Sequence, residues 1–97
     1  MNPSEPNKRF YFPLQKMKAL WKDIAVHDQK GTVFFVDTSL DVLEVGRAVS
    51  QDNIEYVQEQ IKQGKIFRLE EEQKSTLAQK VCVFVIVQPY IFVENPS

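Results

Sequence analysis

Ninety-seven residues are enough for one domain with one core, burying roughly 60–65 % of the surface that the unfolded chain would expose. Hydrophobic residues make up 43 % and charged residues 26 %, an ordinary globular balance that excludes an intrinsically disordered chain. Twelve basic and thirteen acidic side chains leave a net charge of −1, so no global field draws the protein to nucleic acid or to an anionic membrane.

Cys82 is the sole cysteine, which excludes an intramolecular disulfide and a cysteine-built zinc site. The start, Met1-Asn2-Pro3-Ser4-Glu5-Pro6, lacks the charged and apolar regions of a secretion signal. The longest apolar run, residues 81–87, is far too short to span a bilayer. The expectation is a reducing, cytoplasmic setting without membrane attachment.

Residues 1–9 hold two prolines among polar neighbours and read as a loose leader; residues 10–97 read as a single domain. Phe10-Tyr11-Phe12 brings three aromatics together, and Pro13 suits the first turn of a helix. Leu14, Met17, Leu20, Trp21 and Ile24 then recur at helical spacing, with Lys16, Lys18 and Lys22 mostly off the stripe. Gly31 closes this segment. Thr32-Val33-Phe34-Phe35-Val36 predicts a short buried strand. After the capping side chains Asp37, Thr38 and Ser39, a helix beginning at Leu40 carries Val42, Leu43, Val45, Ala48 and Val49.

Gln51-Asp52-Asn53 breaks that helix, and Asp52 or Asn53 can cap a third one with Ile54, Val57 and Ile61 on one face. Gly64 stands where a left-handed C-terminal cap belongs. Residues 65–69 read as a strand. The carboxylates Glu70-Glu71-Glu72 suit the positive end of a short helix reaching Gln79. Residues 81–94 read as one final strand crossed by Pro89. The core expected from these periods is Trp21, Ile24, Val33, Phe35, Leu43, Val49, Val57, Ile61, Val83 and Val85. The class is α+β, about four helices on a small sheet.

No residue set carries catalysis. Asp23 and His27 share a helix face at i,i+4, but two ligands do not hold a metal and no second cluster completes them. Cys82 sits in the apolar Val81-Cys82-Val83-Phe84, the setting of a buried hydrophobe and not of an activated thiolate. Ser39, Ser50 and Ser75 lie in no nucleophile motif, and the three isolated glycines form no phosphate-binding loop. Glu70-Glu71-Glu72 reads as a solvated helical turn. The expectation is no enzyme, no cofactor, no metal and no catalytic residue.

The order helix, strand, helix, tight turn, helix, strand matches the chain order of a winged-helix domain, with a helix-turn-helix pattern from Leu43 to Ile66. In such a domain the second helix would enter the major groove. Residues 37–63 carry six acids against two bases, net −4, and repel a duplex. Residues 1–22 are basic, net +4, and leave a basic N-terminal arm as the alternative route to nucleic acid.

Most of the chain, from about Trp21 to Val93, also resembles a small bacterial family known only as a domain of unknown function. The likeness rests on Leu40-Asp41-Val42-Leu43-Glu44-Val45, Ser50-Gln51-Asp52-Asn53, Val57 with Ile61, Gly64-Lys65-Ile66, and Val85-Ile86-Val87-Gln88-Pro89-Tyr90-Ile91-Phe92-Val93. Where Gln60 and Tyr90 stand, that family is expected to carry tryptophan. The resemblance implies a bacterial cytosolic domain and carries no functional residue with it.

With residues 81–94 taken as one strand, Val81, Val83, Val85, Val87, Pro89, Ile91 and Val93 share the face that packs under helices. Cys82, Phe84, Ile86, Gln88, Tyr90, Phe92 and Glu94 share the other. Its mixture of aromatic and polar groups predicts an interface built on Phe84, Ile86, Tyr90 and Phe92. The sequence therefore reads as a protein–protein interaction module, a homodimer with a further unidentified protein partner. The competing arrangement has Phe10, Tyr11 and Phe12 folding back over this face.

Overall fold

The structure is a computed structural model that describes residues 14–95. In chain order the elements are β1 (Met17–Leu20), α1 (Trp21–Asp28), β2 (Val33–Val36), α2 (Val42–Ser50), α3 (Ile54–Lys62), β3 (Ile66–Phe67), α4 (Glu71–Ser75), β4 (Val81–Val87) and β5 (Tyr90–Glu94). The strands form one five-stranded sheet in the order β1-β4-β5-β2-β3. β2 and β5 run parallel and every other pair is antiparallel. The protein is thus α+β, with four helices packed against a mixed sheet. From α1 to β3 the order is helix, strand, helix, helix, strand, with both strands built into the five-stranded sheet.

The middle of the chain folds as its local chemistry dictates. Asp41, and not Asp37, Thr38 or Ser39, caps α2 by accepting the Leu43 amide at 3.0 Å, so the helix starts at Val42 two residues after the expected Leu40; Asn53 caps α3 by accepting the Tyr56 amide at 3.3 Å. Helix α3 stops at Gly64 (φ +76°), where the Gly64 amide donates to the Ile61 carbonyl and the Lys65 amide to Gln60. That pair of bonds satisfies the last carbonyls, and the left-handed backbone it needs costs glycine nothing.

Alternation along the strands gives the sheet two apolar faces, each with its own cover. Val33, Phe35, Cys82, Phe84, Ile91 and Val93 pack with Trp21 and Ile24 of α1 and with Leu77. Val36, Val85, Phe92 and Ile66 pack with Val42 and Val45 of α2 on the opposite face. Burial of both faces explains why residues 81–87 are apolar throughout and do not alternate.

Trp21, Ile24, Val33, Phe35 and Val85 are buried as the periodicity predicts. Leu43, Val49 and Val57 are half-buried against the α2-face cluster, and Val83 is half-buried. Ile61 departs from the expectation and is 50 % exposed. The reason is that α3 lies on α2 and β3 as an outer layer and buries none of its residues fully.

Three segment boundaries also differ. The stripe from Leu14 to Ile24 is not one helix: Met17–Leu20 is the edge strand β1, and the helix begins at Trp21. Met17 and Ala19 turn inward against the Trp21 cluster, an alternation that three or four residues cannot distinguish from a helical stripe. The strand expected at 65–69 spans Ile66–Phe67, and the helix expected at 70–79 spans Glu71–Ser75.

The largest correction concerns residues 81–94, which form a hairpin and not one strand. The chain reverses at Gln88-Pro89, joined by a cis peptide, and β5 returns beside β4 in the register Val87↔Tyr90 to Phe84↔Val93. Proline has no amide to give a ladder, so a strand in mid-sheet does not pass through it.

Candidate interaction surface at the hairpin tip

The hairpin separates the four residues expected to form one interface. Phe84 opposes Val93 and Ile86 opposes Ile91, which puts Phe84 and Ile86 on the α1 face. Phe92 opposes Val85 and Tyr90 opposes Val87, which puts Phe92 and Tyr90 on the α2 face. Phe84 and Phe92 are buried in the two cores. Ile86 and Tyr90 remain 40 % exposed, and both belong to the β4–β5 tip, with exposed Gln88 and Pro89 between them. The tip therefore presents an apolar side chain on each face of the sheet. The aromatics Phe10, Tyr11 and Phe12 lie outside the described residues.

On the α2 face the tip continues into an aromatic group. Phe34 of β2 lies 6.1 Å from Tyr90 and 5.9 Å from Phe92, ring centre to ring centre, because β2 runs beside β5 with Phe34 opposite Phe92. The Arg68 guanidinium stands over the Phe34 ring at 5.6 Å, a cation–π contact. Its position is fixed from behind by the Gly31 carbonyl at 3.4 Å and by Asp28 at 3.6 Å. Phe34 and Arg68 are the members that sequence reasoning missed. Alternation within Thr32–Val36 already sets Phe34 opposite in face to Phe35, but only the parallel β2–β5 pairing brings it to Tyr90.

No group of three or more His, Cys, Asp and Glu side chains comes together among the described residues. Asp23 and His27 are exposed on α1. Burial pushes the Cys82 thiol up from its ordinary value, the opposite of nucleophile activation. Glu70, Glu71 and Glu72 are solvent-exposed at the start of α4, with Glu71 paired to Lys74. An open groove of about 560 Å³ beside α4 is lined by Phe67, Leu69, Gln73, Thr76 and Lys80 among others, a mixed wall without a catalytic pair. No described helix is long and apolar enough to cross a membrane.

A five-stranded mixed sheet with helices on both faces and a hydrophobic hairpin tip defines a small α+β domain. Residues 12–95 match the family described as "Protein of unknown function (DUF2288)", and the chain belongs to that family. Among solved structures it is similar to the NMR solution structure of PA1075 from Pseudomonas aeruginosa. The two share 20 % sequence identity with a TM-score of 0.76, over 86 % of this chain and 79 % of that one, a likeness of fold. No curated protein matches.

Proposed function

We propose that the domain is a non-enzymatic protein–protein interaction module of the cytoplasm that self-associates through the β4–β5 tip. The observation that supports this reading is the exposure of Ile86 and Tyr90 on either side of Pro89, continuous with the Phe34 ring under Arg68. Exposed aromatic and aliphatic side chains flanked by arginine are the composition of protein interfaces. A second copy meeting the tip would form a homodimer, and the same surface would serve an unidentified protein partner.

Light scattering coupled to size exclusion tests the proposal. A homodimer converted to monomer by Ile86→Lys or Tyr90→Lys supports it, and a monomer at high micromolar concentration overturns it. Phe92→Lys is unsuitable, because Phe92 is buried and its loss would unfold the core.

The second reading, a nucleic-acid-binding domain, draws on exposed Lys16, Lys18 and Lys22 near the N-terminus and is opposed by exposed Glu55 and Glu59 on α3. A gel shift with duplex DNA at low salt separates the two readings.

A further inference from the structure

Among the described residues the sheet has two edges, and they are built differently. β3 is an edge of only two residues, too short to offer a ladder. β1 is the opposite edge, pairing Met17–Leu20 with β4 on one side. The Trp21 amide donates to the Lys80 carbonyl at 3.0 Å, in step with the β1–β4 register. Bonded and non-bonded positions alternate in an antiparallel pair. Ala19 and Met17 therefore bond to β4, while the amide and carbonyl of Lys18 and the amide of Leu20 point away from the sheet; the Leu20 carbonyl belongs to the first turn of α1.

The side chains at this edge are basic and apolar. Residues 14–22 contain Lys16, Lys18 and Lys22 and no acid. Lys18 and Lys22 form no ion pair with any described residue, whereas Lys16 meets Asp41 at 3.4 Å. On the α2 face, Lys18 and Leu20 stand opposite Val83 and Val81, and Val81 is 59 % exposed. Glu94 lines a shallow groove on that side together with Val81 and Val83. A second copy pairing edge to edge would bring the lysine-bearing strands together, which like charge disfavours.

We infer that the β1 edge is a docking strand for an extended acidic peptide, with an acidic residue beside Lys18 and an apolar residue two positions away beside Leu20. The peptide's main chain bonds the outward amide and carbonyl of Lys18 and the amide of Leu20, and its apolar side chain covers Val81. An extended peptide backbone matches the spacing of those outward groups, which a nucleic-acid strand does not. This surface is separate from the hairpin tip, so the inference shares with the proposed function only the premise that the domain binds polypeptides.

The test titrates the full chain, labelled for amide NMR, with a short peptide alternating glutamate and valine. Shifts concentrated in residues 16–22 and 80–84, binding about tenfold weaker in Lys18→Glu, and loss of binding when alternate peptide amides are N-methylated are the expected results. Leu20→Pro should also abolish binding, since it removes an outward amide at a φ of −69° that proline accepts. Four results overturn the inference. They are equal binding of the N-methylated peptide, equal binding of a DNA oligonucleotide, shifts centred elsewhere, or no binding at low salt. Slow hydrogen exchange at Lys18 and Leu20 without peptide would also overturn it, because the edge would then be covered by this chain or a second copy. Light scattering on Lys18→Glu reads self-association independently and keeps a failure here distinct from a failure at the tip.

Discussion

Lys74 Nζ lies 2.5 Å from Asp28 Oδ2 across 46 residues of sequence and fastens α4 to the end of α1. Both side chains are nearly nine-tenths buried, and Arg68 approaches the other carboxylate oxygen at 3.6 Å. The same guanidinium covers Phe34, so this ion cluster connects the helices of the α1 face to the aromatic group on the α2 face. The hydrogen bond to Asp28 raises the Lys74 pKa above its ordinary 10.5. A cation with a raised folded-state pKa contributes stability below the unfolded value and loses it as pH rises through the folded one.

Lys74→Met should therefore lower stability by about 2 kcal/mol at neutral pH, because it leaves a largely buried carboxylate with only Arg68 nearby. Adding Asp28→Asn should recover much of the loss. Urea unfolding against pH should show a constant gap between the native protein and Lys74→Met from neutral pH up to about pH 10, closing above it. A gap that stays open well above that pH would contradict the assignment.

Val85 and Ile61 provide a matched contrast in burial. Val85 is fully buried between β1, β5 and α2, whereas Ile61 is half exposed on the outer helix. Val85→Ala should cost about 2 kcal/mol and Ile61→Ala below about 1 kcal/mol, read from urea midpoints. Equal losses would show that α3 packs more closely than its exposure indicates.

Gly46 and Gly64 should each resist alanine for a different reason. A Cβ on Gly46 would meet Val85 Cγ2 at 2.9 Å and Val87 Cγ2 at 3.4 Å, so Gly46→Ala forces α2 off the sheet. The expected loss is about 1–3 kcal/mol despite alanine's better helix propensity. Nothing lies within 4 Å of a Cβ on Gly64, and there the left-handed backbone alone costs about 1 kcal/mol. Repacking should rescue only the first: Val85→Ala combined with Gly46→Ala should be less damaging than the sum of the two, by thermal melting.

Cys82 should be inert in the native protein. Its side chain is buried under β1 and α1, and burial raises the thiol pKa, so little thiolate is exposed at neutral pH. A disulfide reagent should modify it at the rate of local or global opening, with steep acceleration in urea. Fast labelling without denaturant would place the sulfur at the surface.

Much of the central architecture was legible in the residues. Asn53 and Gly64 mark the two ends of α3, because caps and left-handed stops act through hydrogen bonds only a few residues long, whereas the cap of α2 is Asp41 and not one of Asp37, Thr38 and Ser39. The candidate surface was legible only in part. Ile86 and Tyr90 lie where aromatic and aliphatic composition pointed, while Phe84 and Phe92 point into opposite cores.

What the sequence determined by itself was the inventory of elements in the middle of the chain and the apolar character of residues 81–87. What only the tertiary structure decided was pairing. Met17–Leu20 is a strand because β4 lies beside it, and β5 turns back at Pro89 because its amides find β4 on one side and β2 on the other. Phe34 reaches Tyr90 through a parallel pairing more than fifty residues away in the chain. Caps and periods are short-range and are written in consecutive residues, whereas the face a strand residue occupies is fixed by neighbours that only the folded sheet supplies.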